Sequence, residues 1–354
     1  MTSTSRIAKP PNDLVERAER GIVLSRQDIV ALLSLCDREA LASLFQAADW
    51  VRARMVGEEI FLRGIIEFSN YCRNNCLYCG LRRDNHSVHR YRIPDDEIVM
   101  LAESVRIRGC GTVVLQSGED PHYTGKHLSR LISRIKDVTG LAVTLSIGRR
   151  SYKDYQAFRA AGADRYLLRH ETANPERFAR LCPGRTLEER LRPLRWLRDL
   201  GYEVGTGCMV GLPGQGVEDL ADDVLLIRDM DADMVGIGPF IPHEQTPLGS
   251  EPPGDPLMVL KMLAVVRLVT RNTNIPATTA LGVLNSATRR EAFLAGANIF
   301  MPVFTPQSYA GRYEIYPGKG DLPRADGALQ DFTDFFHSIG RPVGDGPGNR
   351  RYTN

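Results

Sequence analysis

The chain has 354 residues, 43 % apolar and 25 % charged, an ordinary globular composition that excludes a disordered, collagen-like or mucin-like polymer. Lys and Arg number 45 against 43 Asp and Glu, so the net charge of +2 lacks the basic excess of a nucleic-acid or anionic-membrane binder. No apolar run reaches the roughly 18 residues of a membrane helix, and residues 1–20 lack an apolar signal core, so a cytoplasmic protein is expected.

In chain order, residues 25–56 carry helical apolar spacing behind the capping-box pair Ser25 and Asp28, which predicts an N-terminal helical extension over 1–57. From residue 59 short apolar runs take over, at 60–68, 112–116, 142–147, 166–169, 204–210, 234–237, 275–279 and 298–301. Helical segments near 94–109, 125–138, 152–161, 186–200, 217–230, 255–272 and 287–294 alternate with them. Eight strands and their helices in about 240 residues predict an α/β fold, a complete (β/α)8 TIM-type barrel over 58–320. A doubly wound sheet competes less well, because no glycine-rich dinucleotide turn follows the first strand. The remaining 321–354 read as a helix near 327–338 and a tail that is poorly ordered from 343 onward.

Three of the seven cysteines lie within eight positions after the first strand, Cys72, Cys76 and Cys79, in a Cys-x3-Cys-x2-Cys loop. The odd total and low density suit a reducing compartment and a metal site rather than a disulfide framework. Zinc would want a fourth protein ligand, and His86 and His89 stand at unconvincing spacings. A 4Fe-4S cluster on three thiolates leaves one iron open to a small molecule, and the end of a barrel strand puts that iron at the catalytic face.

This loop in this place resembles the signature of the radical S-adenosylmethionine (SAM) superfamily. In that superfamily SAM chelates the open iron through its amino and carboxylate groups. Reduction then cleaves it to methionine and a 5′-deoxyadenosyl radical. Neighbouring strings narrow the resemblance: Phe68-Ser69-Asn70, Leu81-Arg82-Arg83-Asp84-Asn85, Leu115-Gln116-Ser117-Gly118-Glu119-Asp120-Pro121, Tyr166 through Arg169-His170-Glu171-Thr172 to Pro175, and Gly236-Ile237-Gly238-Pro239-Phe240-Ile241-Pro242-His243. In this order they are similar to the HydE family of FeFe-hydrogenase maturases, from about residue 60 to Lys319.

The resemblance implies cluster ligation by Cys72, Cys76 and Cys79, with Tyr78 near the adenine. It implies Gly118 and Glu119 beside the SAM amino group and Glu171 accepting from the ribose. Arg190 would pair with the methionine carboxylate, which a planar guanidinium suits. Gly211, in the glycine-rich 205–214 stretch, would let backbone approach the adenine.

For substrate, Gln116, Ser117, Thr144, Ser146, Arg169, Thr278, Thr279, Tyr313 and Tyr316 would form a polar cavity with one strong anion site in Arg169. The resemblance implies a cysteine-bound iron carbonyl cyanide unit delivered by a partner maturase, with radical attack at sulfur on the way to the hydrogenase di-iron subcluster.

No cysteine follows Cys208, so a second Cys-ligated cluster near the C-terminus is excluded and sulfur insertion of the biotin-synthase kind is disfavoured. Two alternatives remain: a methylornithine-synthase-like radical SAM mutase of an amino acid, and an iron-sulfur scaffold or electron-transfer module without SAM cleavage. Arg73, Arg82, Arg83, Arg90 and Arg92 form a basic run that could dock a partner or electron donor.

Overall fold

The computed structural model describes residues 11–321 and 325–352. Three helices come first: α1 (Pro11–Glu19), α2 (Arg26–Leu33) and α3 (Arg38–Met55). Nine strands follow: β1 (Phe61–Ser69), β2 (Thr112–Ser117), β3 (Ala142–Ser146), β4 (Ala163–Leu167), β5 (Glu203–Thr206), β6 (Met209–Val210), β7 (Met234–Val235), β8 (Gly238–Pro239) and β9 (Ile299–Phe300). Between and after them lie α4 (Asp95–Ile107), α5 (Gly125–Thr139), α6 (Tyr152–Ala160), α7 (Pro175–Leu181), α8 (Leu187–Asp199), α9 (Val217–Asp229), α10 (Pro256–Thr270), α11 (Thr279–Leu284), α12 (Ser286–Leu294), α13 (Gln307–Ala310) and α14 (Ala325–Ser338).

Seven strands make one parallel sheet in the order β7-β5-β4-β3-β2-β1-β9, and β6 pairs with β8 beside it. The chain therefore builds an α/β fold on a parallel TIM-type sheet of seven strands. The expected strand at 275–279 forms no ladder. Instead Asn274 and Pro276 make single parallel bridges to Met234 and Ile299, on the two edge strands β7 and β9. Pro276 has no N–H to donate, and α11 begins at Thr279, so this segment has no room for a regular ladder.

Local sequence accounts for the helices. Ser25 and Asp28 do form a capping box on α2, and Thr124 caps α5, whose Leu128, Leu131, Ile132 and Ile135 are buried at helical spacing. Helix α10 is buried all round because the extension covers its outer side: α2 and α3 pack on it, and every residue from Val259 to Leu268 is buried. Buried Lys261 donates to the Leu33 and Leu35 carbonyls at 2.6 and 3.1 Å, satisfying the C-terminal end of α2. No described helix is long and apolar enough to cross a membrane.

The tail departs from expectation. Residues 343–352 are fixed across the end of the sheet opposite the cysteine loop, because buried polar side chains there need partners. Arg63 and Asn274 donate to the Gly348 carbonyl at 2.8 and 3.1 Å, and Thr112 donates to that of Pro347 at 3.1 Å. Arg350 then pairs with Asp231 at 2.5 Å and with Asp233 at 3.2 Å.

Candidate active site

The cysteine loop leaves the C-terminal end of β1 and is held as one piece. Arg90 donates to four carbonyls of the surrounding backbone, Asn70 at 2.6 Å, Leu81 at 3.0 Å, Arg82 at 2.8 Å and Asn85 at 3.2 Å. Arg92 makes a two-point pair with buried Asp120, which also accepts from Ser69 at 2.7 Å. Arg73 pairs with buried Glu119 at 2.6 Å. Three arginines of the basic run thus serve the loop's internal architecture, while Arg83 pairs with its exposed neighbour Asp84.

Gly118 and Glu119, at the end of β2, hold this loop. A Cβ on Gly118 would stand 2.2 Å from the Tyr71 carbonyl oxygen and 2.9 Å from the Cys72 Cβ, so only glycine permits the approach. The Glu119 amide donates to Cys72 Sγ at 3.4 Å, and its carboxylate accepts from Arg73, from Asn74 at 3.0 Å and from the Arg149 amide at 3.0 Å. Burial alone would push this carboxyl up, but the Arg149 and Asn74 hydrogen bonds and the Arg73 and Arg185 charges hold it below its ordinary value. These polar groups of Glu119 are engaged with the cysteine loop.

The three cysteines are partly buried thiols. Cys76 is drawn down to about 7 by a hydrogen bond from Cys182, whose Sγ lies 3.7 Å away, and by the Arg190 guanidinium, against the cost of burial. Burial pushes Cys72 and Cys79 up. Three thiols on one short loop are soft donors suited to an iron centre once deprotonated.

Cys79 and Tyr78 form one wall of a cavity of about 270 Å³ inside the sheet. Gln116 and Ser146 line it from β2 and β3, and Arg169 and Glu171 from the loop after β4. Thr278, Thr279 and Tyr316 line the far side, where Thr279 Oγ1 and the Tyr316 hydroxyl are 2.8 Å apart. Arg169 donates to the Cys208 carbonyl at 2.7 Å, and its Nε stands 3.3 Å from Glu171 Oε2 without a hydrogen bond to it. A larger groove of about 630 Å³ lies on the outer surface by Trp50 and Arg341, away from the cysteines.

Glu171 adopts a left-handed backbone, φ +71°, which costs a non-glycine residue about 1–3 kcal/mol. The conformation turns the chain sharply so that Glu171 lines the cavity, and Oε2 is buried with no hydrogen-bond donor. Arg190, on α8, is buried with its carbon Cζ 5.7 Å from the Phe178 ring centre. No hydrogen bond or ion pair engages its guanidinium among the described residues, and Nε is fully buried. A buried guanidinium and a buried carboxylate oxygen that both lack a hydrogen bond are costly features for a fold to carry, and a ligand with a carboxylate and hydroxyl donors would satisfy both. These residues fit a 4Fe-4S cluster on the three thiols with SAM beside it.

The other expected site residues lie behind the cavity wall. Ser117 donates to the Gly118 carbonyl at 2.7 Å, and Thr144 is buried within β3 with Oγ1 unpartnered. Tyr313 is buried beneath Lys319, whose Nζ lies 5.1 Å from its ring centre. Gly211, at φ +87°, turns the chain against Gly254, whose Cα a Cβ would meet at 2.2 Å, so it serves packing. Sequence reading missed Lys319 and Glu67, which form a buried ion pair, with Lys319 in the cavity lining. It also missed the buried trio of Thr206, His170 and Asp223 behind Glu171. The signal was present in the Arg-His-Glu string, where a histidine separates two cavity residues and must face the other way.

Comparison with known proteins follows the same lines. The sequence model of the Radical SAM superfamily matches residues 66–227. The chain is 49 % identical over 307 residues, 87 % of its length and 88 % of the relative's, to the FeFe hydrogenase maturase subunit HydE of Thermotoga maritima. It is 30 % identical to the 3-methylornithine synthase of Methanosarcina acetivorans over 83 % of both chains. Among solved structures it resembles methylornithine synthase (PylB), with a TM-score of 0.82 at 27 % identity, covering 94 % of this chain and 97 % of that one.

Proposed function

The chain belongs to the radical SAM superfamily and, within it, to the HydE family of FeFe-hydrogenase maturases, and from that premise we propose that its cavity receives a small cysteine-bound iron carbonyl cyanide unit. The observation that carries this reading is that Cys79 and Tyr78 share one cavity with Arg169 and Gln116, so cofactor side and anion side face the same volume. Enzymes of this type work with a 4Fe-4S cluster and SAM. When bound, the reduced cluster supplies the electron that cleaves SAM to methionine and a 5′-deoxyadenosyl radical.

Each side chain then has a task. Cys72, Cys76 and Cys79 hold the cluster through thiolates and leave one coordination site for SAM. Arg190 pairs with the methionine carboxylate, Glu171 accepts from the ribose hydroxyls, and Tyr78 packs by the adenine. Gly118 and Glu119 keep the cysteine loop in register. Arg169 anchors the anionic substrate, and Gln116, Ser146, Thr278, Thr279 and Tyr316 orient it, with Lys319 adding a second cation held by Glu67. The cavity walls exclude water and oxygen from the radical.

We read residues 58–320 as a closed barrel, with 274–277 as its thin eighth stave; the bridges from Asn274 and Pro276 to both sheet edges support this. Of the extensions at 1–57 and 321–354, the described residues pack around it. A partner maturase delivers the substrate and a reduced donor the electron, in the cytoplasm; seven free thiols suit that reducing setting.

The test is anaerobic turnover of reconstituted enzyme with SAM and the cysteine-bound iron dicarbonyl cyanide complex, followed by mass spectrometry. The reading expects adenosyl carbon joined to the complex's sulfur, and at least tenfold less of this product for Arg169→Ala with SAM binding retained. Product from an amino acid but not from the complex would overturn it in favour of a mutase.

A further inference from the structure

Cys182 stands outside the Cys-x3-Cys-x2-Cys loop, and neither the cluster nor the cavity uses it. It lies at the C-terminal cap of α7, 1 % exposed, in an apolar pocket with Phe178, Leu181, Met209 and Phe240. Its Sγ is 3.7 Å from Cys76 Sγ. Backbone holds this proximity: the Leu77 amide donates to the Leu181 carbonyl at 2.9 Å, and these residues are the immediate neighbours of Cys76 and Cys182. The cluster loop and the end of α7 are thus pinned side by side with their two thiols facing. Cys110 and Cys208 are buried elsewhere and Cys36 is exposed on the surface.

From this geometry we infer that Cys76 and Cys182 are an oxidation site of the cluster-free protein, closing to a disulfide that blocks cluster assembly until it is reduced. The inference rests on the reading of Cys76 as a cluster ligand. A disulfide needs the sulfurs at about 2.05 Å, a gap that side-chain rotation closes when the flanking backbone is already in place. The two S–H bonds break and one S–S bond forms. Two protons and two electrons leave, accepted by dioxygen, which becomes hydrogen peroxide, or by a small-molecule disulfide, which becomes two thiols. While the bridge lasts, Cys76 cannot bind iron. The bridge also keeps Cys76 from irreversible oxidation to the sulfinic or sulfonic acid. With iron bound to Cys76, Cys182 has no thiol partner and stays reduced.

The test uses full-length protein stripped of iron by a chelator and exposed to air. Free thiols are alkylated under denaturing conditions and the digest is mapped without reductant. The inference expects a Cys76–Cys182 cross-linked peptide in the wild type, absent from Cys182→Ser and Cys182→Ala. It further expects that the air-exposed wild type takes up iron and sulfide only after treatment with dithiothreitol, with at least fivefold less uptake without it, whereas Cys182→Ser needs no such treatment. Seven freely alkylated cysteines, or Cys76 bridged to Cys72 or Cys79 instead, would overturn it. The peptide map reads the bridge without reference to iron. Failure of the never-oxidised, fully reduced wild type to take up iron would instead contradict the cluster assignment.

Discussion

Asp223, on α9, holds the backbone on both sides of Glu171: its Oδ1 lies 3.1 Å from His170 Nε2 and accepts the Ala173 amide at 2.6 Å. His170 Nδ1 meets Thr206 Oγ1 at 2.9 Å, so the residue before Glu171 is clamped from two sides. This clamp explains how a non-glycine residue stays in the left-handed region at φ +71°. Asp223→Ala is expected to weaken SAM binding about tenfold, equivalent to roughly 1.4 kcal/mol, while iron content stays unchanged. Asp223→Asn, which keeps an acceptor oxygen, restores most of the affinity. Equilibrium binding to the reconstituted protein, with iron analysis alongside, checks both.

Arg190 is buried and its guanidinium makes no hydrogen bond or ion pair among the described residues, so its substitution should affect SAM binding and the stability of the protein without SAM differently. Arg190→Met should lower SAM affinity by 10- to 150-fold, the worth of a charge-assisted hydrogen-bonded pair of about 1.5–3 kcal/mol. The same change should leave the melting temperature of the protein without SAM little altered, because the nearby Glu171 and Cys76 offset the burial of this cation. Thermal melts with and without SAM separate the two.

Glu119 makes an acid-sensitivity prediction. Its folded pKa lies below the ordinary carboxylate value, so the stabilisation it gives is complete above the carboxylate range and drains away as pH falls through the folded pKa. Glu119→Gln should cost about 1–3 kcal/mol at neutral pH and flatten the stability curve below about pH 4. Denaturant melts across pH read this directly.

Gly118→Ala places a methyl group against backbone at Tyr71 and the Cys72 Cβ, neither of which can turn aside. The cysteine loop must shift, so iron bound after reconstitution should fall at least threefold while the far-ultraviolet circular dichroism is unchanged.

Deleting residues 343–354 should uncover Arg63 and Arg165, both of which donate to tail carbonyls. The loss of these hydrogen bonds and of the tail's packing should lower the melting temperature by more than 5 °C, given that each hydrogen bond is worth about 1 kcal/mol. Arg350→Ala should reproduce part of that loss, since its pairs with Asp231 and Asp233 anchor the tail.

Much of the fold was legible because short apolar runs alternate with period-3.6 segments from residue 60 to residue 300. The run at 275–279 was misread as a regular strand: Ile275 and Ala277 are apolar, but ladder formation depends on Pro276 and on the onset of α11, which apolarity does not report. The tail was misread because its glycines and prolines signal disorder only if nothing waits to receive their carbonyls. Arg63 and Arg165, buried at the sheet's end, do wait, and that is a tertiary fact. In the site, the spacing of Cys72, Cys76 and Cys79 was legible because all three lie on one short loop after the first strand. Glu119 was singled out through the resemblance, whereas its contacts with Arg73, Asn74 and Arg149 carried no local pattern and come only from the fold. Lys319 and Cys182 carried no local pattern, and only folding brings them to Glu67 and Cys76.

The most direct measurement is the 5′-deoxyadenosine released from SAM per cluster by anaerobically reconstituted, reduced protein, with Cys76→Ala treated identically. The account predicts release by the wild type, stimulation by the cysteine-bound iron dicarbonyl cyanide complex, and neither cluster nor product in Cys76→Ala. An intact, reduced cluster that leaves SAM uncleaved, or cleavage that survives in Cys76→Ala, would contradict it.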